Sequence, residues 1–166
     1  IFGDEFPQIF KKLKDSKIKV KIYQQCLHSQ NAQLSEFYKR AQIDFEIFNF
    51  TSNIIDYYSK SNLVITRSGA SVLGELVNFK IPFISIPLPT SADNHQYKNA
   101  LFYAKKGYGN FLEEKDIKNQ LYNLIVSTFN DKSILSGILL NQRQRSDKNI
   151  FENLNSQIEK ILNEKN

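Results

Sequence analysis

Two stretches in the middle of this 166-residue chain combine residue types that can hold a phosphate and a sugar. In the first, the apolar run Leu63-Val64-Ile65-Thr66 passes at once into Arg67-Ser68-Gly69-Ala70-Ser71 and then into the pattern Val72-Leu73-Gly74-Glu75-Leu76-Val77. That order reads as a strand, a tight turn of small residues and a helix. A helix start carries unpaired amide donors and about half a positive charge, and in open α/β sheets ligands sit at the carboxyl ends of the strands. Gly69 and Ala70 allow a diphosphate to come close to the backbone, so this turn is the expected anion site. Glu75, about one turn further in, either accepts the hydroxyls of a ribose attached to that phosphate or merely complements the helix dipole on the surface. Arg67 either neutralises phosphate or pairs with a nearby acid, in each case as a supporting group.

The second stretch, Ile86-Pro87-Leu88-Pro89-Thr90-Ser91-Ala92-Asp93-Asn94-His95-Gln96, leaves another apolar run through a proline-rich loop and enters another helical pattern. Asp93 fits an N-cap, with Gln96 three residues on as its capping-box partner. That accounts for Asp93, only in part for Gln96, and not at all for His95. Both loops leave strands of the same kind at one sheet edge, so His95 and Gln96 are expected to face the same ligand as Ser71 and Glu75. The absences narrow the chemistry. The chain has no Asp-x-Asp, no His/Cys cluster at zinc spacing, no Gly-x-Ser-x-Gly turn and no Gly-Lys-Ser loop. No residue reads as a nucleophile. A reaction here would use helix amides to stabilise a leaving diphosphate, with the base supplied from elsewhere.

The elements that must position these loops follow from hydrophobic period. Helical patterns are expected over Glu5–Lys14, Ala32–Ala41, Asn53–Ser59, Ser71–Asn78 and Asn94–Lys106, and strands over Ile18–Tyr23, Phe45–Phe50, Leu63–Thr66 and Phe83–Ile86. Past Phe111 the pattern is helical to the end, closing on a stripe of Ile150, Phe151, Leu154, Ile158, Ile161 and Leu162. This alternation is the signature of a parallel sheet covered by helices on both faces. The length suits one domain, and 41% hydrophobic residues exclude a disordered chain. No apolar run approaches the ~20 residues of a spanning helix. One cysteine, Cys26, cannot form an internal disulfide, which favours a reduced, cytoplasmic compartment. Much of the net charge of +5 lies in the middle third, without any Lys/Arg block or aromatic-basic interleaving, so a phosphorylated ligand is favoured over nucleic acid.

The segments Asn62–Glu75, Ile81–Pro89 and Ala92–Ala100 together resemble the carboxyl-terminal domain of the MurG family, the UDP-N-acetylglucosamine:lipid I transferases of bacterial peptidoglycan synthesis. Gln24-Gln25 and the end of the Phe48–Phe50 run also resemble family positions, so the similarity extends from near Ile1 to about Gly107. The resemblance implies a Rossmann-like domain over residues 1–166, the carboxyl-terminal half of a two-domain GT-B glycosyltransferase that is inverting and needs neither metal nor cofactor. Carried over residue by residue, it implies that Thr51 recognises uracil through its backbone. Ala70, Ser71, Val72, Leu73 and Gly74 would line the diphosphate and ribose. Glu75 would accept the ribose hydroxyls, and His95 and Gln96 would reach the N-acetylglucosamine. It also implies an amino-terminal domain, absent here with the Gly-Gly-Ser-Gln-Gly-Ala stretch expected just before Ile1, that would hold lipid I and the catalytic base. The expected setting is then the cytoplasmic face of the bacterial inner membrane, peripheral on its anionic surface. A competing expectation is a free-standing UDP-N-acetylglucosamine-binding subunit that pairs with a membrane partner, as in eukaryotic dolichol-linked sugar transfer. One departure stands out: Lys80 occupies a position where the family commonly has glycine. Where such a position needs a left-handed backbone, lysine costs on the order of 1 kcal/mol.

Overall fold

The computed structural model describes residues 5–145. The Ile150–Leu162 stripe lies outside them. In chain order the elements are α1 (Glu5–Asp15), β1 (Lys21–Gln25), α2 (Asn31–Arg40), β2 (Asp44–Phe48), α3 (Ile55–Tyr58) and β3 (Val64–Thr66). Then come α4 (Ala70–Asn78), β4 (Phe83–Ser85), α5 (His95–Lys105), β5 (Asn110–Phe111), α6 (Ile117–Asn130) and α7 (Lys132–Gln144). Short 3-10 turns at His28–Gln30, Ala92–Asn94 and Glu114–Asp116 precede α2, α5 and α6. All pairing among the described strands is parallel: β1 with β2, and β3 with β4, which also pairs β5.

Period-2 alternation explains why helices cover both faces. In β3, Val64 points into one apolar cluster and Ile65 into the other; in β4, Phe83 and Ile84 divide the same way. The larger cluster gathers Phe6, Ile9, Phe10 and Leu13 of α1, Tyr38 of α2, and Ile117, Leu121 and Ile125 of α6 against Ile84 and Ile86. The smaller one holds Leu73, Leu76 and Val77 of α4 with Ile81 and Phe83, flanked by Tyr58 and Tyr103. Phe6, Ile9, Phe10 and Leu13, at i, i+3, i+4 and i+7, fall on the buried face of α1.

Four helices end in the same way. After α1, α2, α4 and α5, a residue with positive φ donates its N–H back to the third residue before it, and the next residue donates to the fifth before it. In α4 these bonds are Lys80 N–H to Val77 O (3.1 Å) and Ile81 N–H to Leu76 O (2.9 Å). Only α5 has glycine at the left-handed position, Gly107; the others have Lys17 (φ 62°), Gln42 (φ 52°) and Lys80 (φ 60°). These ends also explain a shifted boundary. The expected strand from Ile18 begins at Lys21, because Ile18 closes the end of α1 through its bond to Leu13 O.

The carboxyl ends of β1 and β2 are joined by a polar network. Cys26 is buried, its Sγ donates to Asn31 Oδ1 (3.0 Å), and Asn49 Nδ2 donates to the Cys26 carbonyl (2.8 Å). Burial pushes the thiol above its ordinary pKa.

Candidate functional site

The turn after β3 delivers α4 at its first residue, Ala70. Its N-cap, Gly69, has an extended backbone (φ −67°, ψ 135°), and no side chain caps the helix. The Gly69 carbonyl already accepts from Leu73 N–H (3.0 Å), so the first turn is formed while its leading amides have no side-chain acceptor. The torsion at Gly69 is one any residue adopts, and a Cβ built there meets nothing within 4 Å. Neither backbone strain nor packing in the protein itself therefore accounts for glycine at 69. Ala70 and Ser71 are exposed and Val72 and Gly74 half-buried along the opening of α4. The Leu73 side chain is fully buried and its amide is spent on Gly69, so this residue adds only helix backbone to the site.

Three contacts fix the turn. Asn99 Nδ2 of α5 donates to the Ser68 carbonyl (3.1 Å). Arg67 donates from Nη1 to the Pro87 carbonyl (3.2 Å) beyond β4 and forms an ion pair with Glu114 after β5. Of the two readings of Arg67, pairing with an acid is thus the one observed, and the pair ties together the carboxyl ends of three strands. On the far side, a Cβ at Gly74 would stand 3.5 Å from the Tyr103 hydroxyl, an ordinary contact that sets α4 against α5.

Glu75 is exposed on α4. Burial first, and then the Glu75 carboxylate, hold the Tyr58 hydroxyl above its ordinary pKa, which puts Glu75 in electrostatic reach of α3. Thr51 stands at the entrance to that helix, half-buried, with its Oγ1 accepting from Asn53 N–H (3.0 Å). Its hydroxyl oxygen thus serves the local turn.

The second loop departs from expectation. Asp93 (φ 49°) and Asn94 (φ 52°) are both left-handed, so Asp93 does not cap α5 and the expected capping box with Gln96 does not form. Gln96 instead accepts at Oε1 from Leu88 N–H (3.0 Å), folding the proline loop back onto the helix start. His95 Nδ1 lies 2.7 Å from the Ala92 carbonyl. A carbonyl can only accept, so Nδ1 carries a proton, and in the neutral ring Nε2 is then an acceptor. The exposed His95 thus offers an acceptor and the half-buried Gln96 a free amide donor, side by side at one helix start. Two consecutive left-handed non-glycine residues cost about 1–2 kcal/mol each, a strain that tends to collect at functional loops.

Sequence reasoning missed Asn99, Glu114 and Tyr58. Asn99 carried a signal, since it lies four residues after His95 on the same helical face; Glu114 and Tyr58 are brought near only by the fold. Among the described residues no group of His, Cys, Asp and Glu is placed to hold a metal ion.

A parallel sheet wound by helices on both faces, with loops gathered at its carboxyl edge, is the architecture of the carboxyl-terminal domain of GT-B glycosyltransferases. A solved structure of MurG from Acinetobacter baumannii has this fold, superposing with a TM-score of 0.73 over 86% of this chain and 41% of its own at 23% identity. The glycosyltransferase family 28 C-terminal domain matches residues 2–158, and the chain belongs to that family. A curated relative from Pelagibacter ubique is 35% identical over 147 residues, covering 88% of this chain and 41% of its own length. One from Rickettsia bellii is 31% identical over 159 residues, covering 93% and 45%. Both are named UDP-N-acetylglucosamine–N-acetylmuramyl-(pentapeptide) pyrophosphoryl-undecaprenol N-acetylglucosamine transferase. The chain spans under half the length of these relatives.

Proposed function

We propose that this chain is the donor-binding half of a transferase that moves N-acetylglucosamine from UDP to an undecaprenyl-diphosphate-linked muramyl-pentapeptide. The observation that carries the reading is the uncapped start of α4 beside Gly69, whose missing side chain leaves open space over three amide donors. A diphosphate placed there gains charge-assisted hydrogen bonds, each worth about 1.5–3 kcal/mol. Glu75 accepts the ribose hydroxyls and the Thr51 backbone reads the uracil, while His95 Nε2 and the Gln96 amide hold the sugar hydroxyls. In the reaction the bond between the sugar C1 and the UDP oxygen breaks as a muramyl hydroxyl bonds to C1 from the opposite face. The acceptor proton passes to a base outside this chain, and the negative charge gathering on UDP falls on the α4 amides.

The whole protein then works at the cytoplasmic face of the inner membrane, held by the anionic surface, with lipid I bound by its other half and no part for nucleic acid. Among the described residues no helix is long and apolar enough to cross a membrane. Titration calorimetry of the chain with UDP, UMP and uridine tests the donor site. UDP is expected to bind, UMP more weakly and uridine least. An absence of UDP binding at millimolar ligand, or equal affinity for all three, overturns the reading.

A further inference from the structure

The end of the molecule farthest from the Gly69 turn gathers cations. α1 and α6 run side by side in one direction: Glu5 and Gln8 share a groove with Lys118 and Asn119, and further along Ser16 Oγ lies 2.9 Å from Tyr122 Oη. α6 follows β5 and so starts at the carboxyl edge of the sheet; α1 therefore ends at the amino edge, where β1 begins. α2, α4 and α5 lead into β2, β4 and β5 and end at that edge too. One pole thus holds the closing turns of four helices.

Lysines crowd this pole. Lys14, Lys17 and Lys19 surround the end of α1, and Lys39, Lys105 and Lys106 close α2 and α5; all six are exposed. Half-buried Lys80 follows α4 beside Phe79, whose ring is left 47% exposed. In the stretches that form the pole, residues 11–21, 36–44, 76–83 and 101–110, the acids are Asp15, Glu36 and Asp44. Asp15 is paired with Lys11 (2.7 Å) and Glu36 with Arg40, each within its own helix. The lysines are scattered along the chain, and only the fold brings them together. Helix dipoles account for part of this. A helix end carries about half a negative charge, which one lysine answers. Around α1 three cations remain after Lys11 is committed to Asp15, and Lys17 holds a left-handed backbone (φ 62°) that glycine takes without strain.

The chemistry between the lysines says what fits them. The cap at each of the four helix ends uses two of the last four carbonyls and leaves acceptors among the cations. A phosphodiester chain or a lipid phosphate brings acceptors alone and meets repulsion at those oxygens. An acidic polypeptide brings both partners, carboxylates for the lysines and backbone N–H groups for the carbonyls. A flat bilayer seated here would also turn the carboxyl edge, where ligands of such sheets enter, away from its surface.

We propose that this pole is a docking surface for an acidic segment of a partner protein, rich in Asp and Glu and carrying an apolar side chain that packs on Phe79. The surface lies across the sheet from the Gly69 turn, so the segment binds without competing with a nucleotide. The inference stands on the pole itself and does not depend on the nucleotide reading.

Fluorescence anisotropy of the 166-residue chain tests it at about 0.15 M salt, where long-range attraction between exposed charges is screened. The probes are a labelled Asp/Glu peptide interrupted by two leucines, the same peptide without leucine, an oligouridylate of equal charge, and phosphatidylglycerol vesicles. The leucine-containing peptide is expected to bind tightest, at least threefold tighter than its leucine-free form. Amide chemical shifts on adding it should move at residues 14–19, 79–80 and 105–106. A Lys14→Gln/Lys17→Gly/Lys19→Gln variant should bind it at least tenfold more weakly. The three side chains are exposed and the glycine relieves a left-handed lysine, so the variant is expected to melt no lower than the parent. The shift map on the parent chain reads the site even without the variant. No binding at millimolar peptide, shifts confined to other residues, unchanged affinity in a folded variant, or tighter binding of the oligouridylate or the vesicles each overturns the proposal.

Discussion

Gly69 and Glu75 separate what a residue does for the fold from what it does for a ligand. Gly69→Val puts a side chain into open space at a torsion valine adopts freely, so a gain of about 0.4–1 kcal/mol from the stiffer unfolded chain opposes a penalty of about 0.5–1 kcal/mol for an apolar N-cap, and the unfolding midpoint is expected to move little. UDP affinity should fall at least tenfold, because the branched side chain fills the approach to the amides. A drop in thermal midpoint with unchanged affinity would instead give Gly69 a purely structural role. Glu75→Gln removes a charge that raises the Tyr58 hydroxyl. The sign follows directly: with the carboxylate gone the phenolate is less disfavoured, so ultraviolet titration should show Tyr58 ionising at lower pH than in the parent. UDP affinity should drop several-fold in the same variant. The titration checks the placement of Glu75 whether or not nucleotide binds.

At the scale of elements, the helix ends carry a cost that three of them need not. Lys80→Gly relieves a left-handed lysine at the end of α4, and the variant should be about 1 kcal/mol more stable by urea denaturation. Part of that gain is offset, because Lys80 Nζ donates to the Val77 carbonyl (3.2 Å) and complements the negative end of the helix. No gain at all would mean that this contact cancels the strain. The left-handed need at position 80 was legible from sequence only through the expected family glycine, since lysine itself gives no sign of it. The strand, turn and helix around Gly69 were legible because three local signals agree: an apolar run, small residues, and an amphipathic period. Asp93 and Asn94 were not. Their residue types fit a cap as well as they fit two left-handed turns, and the choice is made by the Leu88 amide, which takes the side chain of Gln96. β5 was missed for another reason, as Asn110 and Phe111 are too few to show a period and pair only because β4 offers an edge.

Taken whole, the molecule has a larger cluster that draws on both strand groups and on α1, α2 and α6. Leu121, fully buried within it, tests whether they unfold together. Leu121→Ala is expected to cost about 2–5 kcal/mol, a large part of the stability of a domain this size. Far-ultraviolet dichroism and tyrosine fluorescence should shift together in that variant; separate transitions would mean that β1–β2 and β3–β4–β5 are independent units. Cys26 allows the same cooperativity to be watched without any substitution. It is the sole thiol of the chain, shut in at the carboxyl end of β1 and made less acidic by its surroundings. An alkylating reagent can reach its sulfur only when that corner of the protein comes apart, so the labelling rate in plain buffer acts as a clock for spontaneous opening. Dyes attached through a newly introduced surface cysteine would meanwhile find no rival on the folded protein.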